Sequence, residues 1–196
     1  MIPILILAAG SSSRMRGADK LLEDVGGETL LHRQARHALG TACPVYVALP
    51  ALNHPRAQAL ADLPITILAV PDAAEGMSGT LRGAVAQLPE DVDFMMVLGD
   101  LVALEKADLA AVLAARAAYP DALIWRGATA DGKPGHPVIF AASLRAQFAT
   151  LQGDDGGAAL VKPLRDRTHL VNLPGQRARL DLDTPEDWAD WRKTSL

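Results

Sequence analysis

Residues 2–22 read Ile2-Pro3-Ile4-Leu5-Ile6-Leu7-Ala8-Ala9-Gly10-Ser11-Ser12-Ser13-Arg14-Met15-Arg16-Gly17-Ala18-Asp19-Lys20-Leu21-Leu22. The stretch changes character at Ala8. Before it lies an unbroken apolar run, the pattern of a strand covered on both faces, and a strand is expected over Ile2–Ala8. After it come small residues, then two cations, Arg14 and Lys20, and then apolar residues again. A buried strand that ends in a Gly/Ser-rich loop leaves backbone N–H groups unshielded by side chains, which suits phosphate oxygens.

Outward from this stretch, short β-rich runs alternate with Ala/Leu-rich patterns of helical period. Further strands are expected at about Val45–Leu49, Ile65–Val70, Phe94–Leu98, Ala122–Trp125, Pro137–Phe140 and His169–Asn172. Helices are expected near Leu30–Leu39, Pro55–Leu63, Gly79–Leu88, Lys106–Tyr119, Leu144–Leu151, Ala158–Arg165 and Pro185–Arg192. The early alternation predicts a three-layer α/β domain with a mostly parallel sheet and right-handed crossovers. After Pro120 the rhythm changes. Gly127–Gly135 holds three glycines and a proline and reads as a loop, as does Gly153-Asp154-Asp155-Gly156-Gly157. Thr184-Pro185-Glu186-Asp187 has a capping residue, a proline for the first turn and acids at the positive end of the dipole, so it reads as a helix start.

The 196 residues suit one α/β domain, and 49% hydrophobic with 21% charged residues is enough for a packed core. A formal net charge of -4 argues against broad binding to nucleic acid or to an anionic membrane. An anionic ligand must then be held by a few placed cations. The single cysteine, Cys43, allows neither an internal disulfide nor a thiolate metal cluster. No basic residue precedes the apolar N-terminal run, unlike a signal peptide, and no apolar stretch reaches the ~18 residues needed to span a bilayer. A cytoplasmic location is expected.

Ligands of open parallel sheets sit beyond the carboxyl ends of the strands. Two features fall there: the loop Ala8–Lys20, and Gly99-Asp100 after the apolar run Phe94–Leu98. An acid just past a buried strand and facing a phosphate loop is placed to hold Mg²⁺, which takes one or two carboxylates and fills its remaining positions with phosphate oxygens and water. Asp181 and Asp183, ahead of the capped helix, could fold back toward Asp100. Neither Gly-x-x-x-x-Gly-Lys-Ser/Thr nor Gly-x-Gly-x-x-Gly occurs, which counts against P-loop ATPases and nicotinamide enzymes.

Leu7-Ala8-Ala9-Gly10 followed by Ser12, Arg14, Met15, Lys20 and Leu22 resembles the signature of the MobA-like nucleotidyltransferases. These enzymes transfer a nucleoside monophosphate from an NTP to an acceptor and release pyrophosphate. Gly76-Met77-Ser78-Gly79-Thr80-Leu81-Arg82, Gly99-Asp100, Gly135-His136-Pro137-Val138-Ile139-Phe140, Gly153-Asp154-Asp155-Gly156 and Asp181-Leu182-Asp183-Thr184-Pro185-Glu186-Asp187 extend the resemblance over nearly the whole chain. Within the superfamily the chain is most similar to the molybdenum cofactor cytidylyltransferase branch. The resemblance implies a Rossmann-like α/β/α fold, with residues 1–120 as the nucleotide-binding half and 121–196 as the acceptor-binding and metal-completing half. It implies that Leu7, Ala8, Ala9 and Gly10 contact base and ribose, and that Gly76, Ser78, Thr80, Leu81 and Gly99 complete the nucleotide site. Arg14 would hold the β- and γ-phosphates, Lys20 the α-phosphate, and Asp100 and Asp183 Mg²⁺. Lys20, Arg14 and Asp100 would carry catalysis, and Gly135, His136 and Pro137 would meet the acceptor. The implied substrates are CTP and molybdopterin, and a recipient molybdoenzyme or its chaperone would be the protein partner.

The chain departs from the family pattern in three places. Arg16-Gly17 makes the Arg14-to-Lys20 spacing one residue longer than the commonest form. Leu101-Val102 follows Gly99-Asp100, where Gln or Met and then Pro are usual. Ala158-Ala159 stands where an arginine is often found. Three other readings stay open on the sequence: a GTP-dependent guanylyltransferase of molybdopterin, a nucleotidyltransferase acting on a sugar or polyol phosphate, and a nucleotide-binding escort of the cofactor with little catalysis.

Overall fold

A computed structural model describes residues 1–153 and 157–195, so Asp154, Asp155 and Gly156 of the expected second loop lie outside the described residues. The strands are β1 (Ile4–Leu7), β2 (Val45–Leu49), β3 (Thr66–Ala69), β4 (Phe94–Leu98), β5 (Ile124–Ala128), β6 (Pro134–Phe140) and β7 (Thr168–Asn172). The helices are α1 (Leu30–Leu39), α2 (Pro55–Gln58), α3 (Met77–Val85), α4 (Lys106–Ala118), α5 (Arg145–Phe148), α6 (Ala158–Val161) and α7 (Pro185–Ser195). All seven strands form one sheet in the order β3-β2-β1-β4-β6-β5-β7. β6 runs antiparallel to β4 and β5, and the other pairings are parallel. The chain therefore has the mostly parallel α/β sheet that its alternation of strands and helices predicts, in the Rossmann-like form that the resemblance implies. No described helix is long and apolar enough to cross a membrane.

The sheet is buried on both faces, as the unbroken apolar runs require. Ile4 and Ile6 pack into one core with Val47, Val97 and Trp125, beneath α1 and α4. Leu5 and Leu7 point the other way, into a core with Met96, Val138 and Phe140 beneath α3, α5 and α6. One strand thus anchors both layers through alternate residues.

The stretch Gly127–Gly135 corrects the sequence reading. Its two ends are strand, since β5 runs to Ala128 and β6 starts at Pro134, and the expected loop is kept over residues 129–133 between them. Gly127 and Gly135 mark crowded backbone, whereas Gly132, with φ 79° and open space around it, belongs to the loop. A Cβ on Gly127 would meet the His136 carbonyl and one on Gly135 the Ala178 carbonyl. The expected helix Ala158–Arg165 is also shorter. It ends at Val161, and Pro163 follows in a 3₁₀ stretch, Lys162–Arg167, where Leu164 leaves helical geometry. The predicted helix start at Thr184 forms as drawn. Thr184 Oγ1 accepts from the Asp187 N–H at 3.1 Å, and Asp187 Oδ2 accepts from the Thr184 N–H at 2.9 Å.

Candidate active site

The loop after β1 is pinned from below. A 3₁₀ turn, Ser13–Met15, drops Met15 into the core, and Arg16 (φ 53°) and Gly17 (φ 98°) turn left-handed beyond it. From that turn Arg16 reaches Glu186 at 2.8 Å. Beneath the loop lies Arg56, 2% exposed, at the start of α2. Its Nε donates to Asp19 Oδ2 at 2.7 Å, and its Nη2 to Asp19 Oδ1 at 2.8 Å and to Ser12 Oγ at 3.1 Å. Nη1 donates to the Ala8 carbonyl at 2.5 Å. Burial alone would raise the Asp19 carboxyl, but Arg56 outweighs it and holds the pKa below the ordinary value. Asp19 Oδ1 also accepts from the Leu21 N–H at 3.0 Å and caps the turn that begins at Lys20. The loop is therefore shaped before any ligand arrives. Its N–H groups at Ala9 and Gly10 have no partner among the described residues, whereas Ala8 donates to Ala48 at 3.0 Å.

Three acids meet at the mouth of this loop. Asp100 follows β4. Asp181 and Asp183 arrive because Asp181 bridges antiparallel to Leu101 before the chain enters α7. The departure at Leu101-Val102 thus has a structural role, since both side chains are buried and the Leu101 carbonyl accepts from Gln34 Nε2 at 2.8 Å. Carboxylate oxygens of Asp100, Asp181 and Asp183 lie within 4.8 Å of one another. Lys20 stands between two of them. Its Nζ is 2.6 Å from Asp100 Oδ2 and 2.7 Å from Asp183 Oδ1, while Arg14 Nη2 is 2.8 Å from Asp183 Oδ2. Burial would lower the lysine pKa, but Asp100 and Asp183 more than offset this and hold it raised. Burial, with repulsion from Asp100 and Asp183, raises Asp181. Asp100 Oδ1 is buried with no hydrogen-bond partner among the described residues. Three hard oxygen ligands with one unsatisfied buried oxygen fit a divalent cation of the Mg²⁺ or Mn²⁺ type.

A cleft of about 1180 Å³ runs over these groups, and Leu7, Ala8, Ala9, Gly10, Arg14, Lys20, Gly76, Thr80, Asp100 and Asp183 all line it. Ser78, Leu81 and Gly99 do not. Ser78 donates to the Gln152 carbonyl at 3.1 Å, Leu81 is fully buried in the core, and Gly99 donates to the Leu7 carbonyl at 3.0 Å. They support the wall from behind. Gly135, His136 and Pro137 are not part of this wall either. They form the start of β6, across β4 from the loop. Burial and the charge of Arg126 push the His136 imidazole down to about 4, so it is neutral near pH 7.

Sequence reasoning missed Arg56 and Asp19. Their pairing joins positions 37 apart, and nothing local marks an arginine after His54-Pro55 as buried. Asp181 carried a visible signal, its spacing of two from Asp183, which puts both on one side of an extended segment.

Comparison with known proteins agrees with this geometry. The model of the MobA-like NTP transferase domain matches residues 4–169. A molybdenum cofactor guanylyltransferase of Rhodopseudomonas palustris (strain HaA2) is 32% identical over 146 residues, covering 63% of this chain, and the match spans 64% of that relative's length. A probable molybdenum cofactor guanylyltransferase of Synechococcus elongatus is 32% identical over 196 residues, covering 94% of both chains. Among solved structures, Rv0371c of Mycobacterium tuberculosis H37Rv matches with a TM-score of 0.83 at 25% identity, covering 98% of this chain and 97% of that one. Rv0371c complexed with manganese gives a TM-score of 0.79 at 24% identity, covering 98% of each. The chain belongs to the MobA-like NTP transferase family.

Proposed function

We propose that this chain is a Mg²⁺-dependent nucleotidyltransferase of molybdenum cofactor biosynthesis that transfers CMP from CTP to the terminal phosphate of molybdopterin and releases pyrophosphate. The observation that carries the reading is the meeting of Lys20, Arg14, Asp100 and Asp183 at the mouth of a preshaped phosphate loop. The relatives named as molybdenum cofactor guanylyltransferases support the pathway and the acceptor.

The chemistry asks little of any general base. The acceptor is a phosphate monoester, and its second ionisation, near pH 6, leaves it largely dianionic at neutrality. It needs alignment opposite pyrophosphate and neutralised charge around the α-phosphorus. Lys20 and Arg14 leave their carboxylate partners for phosphate oxygens, and the unpaired N–H groups of Ala9 and Gly10 bind the nucleotide where no side chain stands in the way. Asp100 and Asp183, with Asp181 beside them, would hold Mg²⁺, which when bound supplies charge neutralisation at the phosphates and fixes their orientation. Neutral His136 serves as a hydrogen-bonding group near the acceptor, not as an acid. The domain reading is that residues 1–120 hold the nucleotide and 121–196 complete the metal and acceptor sites.

Ala9, standing where the guanylyltransferase branch usually has glycine, favours CTP. GTP is the second reading, favoured by the names of the relatives. Equilibrium binding of both nucleotides decides between them, and a clear preference for GTP would overturn the first. Pyrophosphate release with molybdopterin and with a panel of polyol phosphates tests the acceptor. Asp100→Ala separates catalysis from escort. A catalyst loses turnover by orders of magnitude while keeping some nucleotide affinity, whereas an escort keeps its effect on a recipient enzyme.

A further inference from the structure

A second cleft, of about 480 Å³, opens between α6 with its following 3₁₀ stretch and strands β5 and β7. Val161 and Leu170 give it apolar walls, and Arg126, Lys162 and Arg165 line it with them; no carboxylate among the described residues does so. Leu170 is 40% exposed, an apolar surface beside cations that have no acid partner among the described residues. Arg126 is half-buried. Its Nε donates to the Gly135 carbonyl at 2.7 Å, and its two Nη atoms have no partner among the described residues. Burial and repulsion from Arg179 lower its pKa, the mark of a positive charge held without compensation. Arg179 donates to the Pro134 carbonyl at 2.9 Å, so cations gather around the start of β6 in a chain whose net charge is -4.

This cleft shares no lining residue with the nucleotide cleft, and Arg126 ties it to the start of β6, the strand that pairs with β4. Arg126 holds Gly135, and the next residue, His136, feels the charges of both Arg126 and Asp100. We infer that the cleft receives the body of the acceptor, an amphipathic organic anion that lays its apolar face on Val161 and Leu170 and places a negatively charged group on Arg126, flanked by Lys162 and Arg165. The inference rests on the transfer reaction proposed above and names the acceptor's class. A small polyol phosphate would leave the apolar walls bare, and a nucleotide is already provided for elsewhere.

The test uses the full-length protein with molybdopterin as the probe. Equilibrium binding without nucleotide is measured for the wild type, for Arg126→Gln, and for Lys162→Glu and Arg165→Glu, whose exposed side chains make no ion pair among the described residues and so do not threaten the fold. Acceptor affinity should fall tenfold or more in Arg126→Gln and about threefold or more in each glutamate variant. In turnover, the acceptor KM should rise in parallel while the nucleotide KM stays within twofold. Unchanged molybdopterin affinity in Arg126→Gln and both glutamate variants overturns the inference and leaves the transfer reaction standing. No binding by the wild type also overturns it. Binding that depends on Arg126, without pyrophosphate release in any nucleotide, supports the cleft and sinks the transfer reading instead.

Discussion

The two clefts treat charge in opposite ways. In the nucleotide cleft the cations face acids: Lys20 stands between Asp100 and Asp183, Arg14 lies on Asp183, and Arg56 lies on Asp19, all at 2.6–2.8 Å. In the second cleft Arg126, Lys162 and Arg165 share the lining with apolar residues, and no carboxylate among the described residues stands with them. A compensated site is stable when empty, and a ligand enters it by exchange: phosphate oxygens take the cations and leave the acids for a divalent ion. An uncompensated site carries a cost that an external anion removes. The first arrangement suits chemistry, where charge must be redistributed. The second suits recognition.

The largest expected effect tests the exchange itself. Lys20→Met should lower kcat by roughly 10³-fold, about 4 kcal/mol, the scale seen when one preorganised donor to a developing charge is removed. Nucleotide affinity should change far less, because the loop N–H groups remain. The same variant frees Asp100 and Asp183, so Mn²⁺ should bind it more tightly than it binds the wild type when no nucleotide is present, as read by electron paramagnetic resonance. A kcat within tenfold of wild type would mean that the lysine only balances the acids at rest.

Next comes the pin under the loop. Removing one partner of a buried ion pair leaves an uncompensated charge and costs about 3–5 kcal/mol. Arg56→Met should destabilise the protein on that scale in urea denaturation, and Arg56→Met with Asp19→Asn should recover part of it. A cost below about 1 kcal/mol would show that the loop holds its shape without the clasp.

The first half of the molecule was far more legible in sequence than the second, and the difference has a physical cause. Ile4–Leu7 and Phe94–Leu98 declare themselves because strands covered on both faces tolerate only apolar side chains. The convergence of Lys20, Asp100 and Asp183 followed from the rule that ligands gather at strand ends, joined to the family resemblance. The start of β6, Pro134–His136, stayed hidden because Gly127 and Gly135 serve backbone approach, against His136 and Ala178, and composition alone cannot tell crowding from a turn. Arg56 stayed hidden because its reason for burial, Asp19, is fixed by the tertiary fold. The second cleft is a juxtaposition of β5, β7 and α6, none of which carries a motif.

Compensation by acids also predicts where acid first loosens the protein. Arg36 and His32 hold the Glu28 carboxyl down at about 2, from an ordinary value of 4.5, against a smaller effect of burial. A depressed carboxylate contributes stability above its unfolded pKa and loses it as pH falls through the folded one. Glu28→Gln should therefore cost about 1 kcal/mol at pH 7, discounted because Arg36 is half exposed, and close to nothing at pH 2. Urea midpoints of variant and wild type that differ equally at both pH values would contradict the assignment.

The smallest effect is the sharpest test of the contrast. Arg14 and Arg165 are both exposed arginines at the rim of a cleft, and only Arg14 has an acid partner among the described residues. Arg14→Gln should cost about 0.5 kcal/mol, the worth of a solvent-exposed pair, and the cost should shrink as salt rises. Arg165→Gln should change stability by no more than a few tenths of a kcal/mol, because it breaks no ion pair among the described residues. Both effects lie within the range of paired urea titrations repeated at low and high salt. If Arg165→Gln instead destabilises by about 1 kcal/mol or more, the arginine has a partner of its own, the second cleft is compensated like the first, and an anion would have to displace that partner before it could bind.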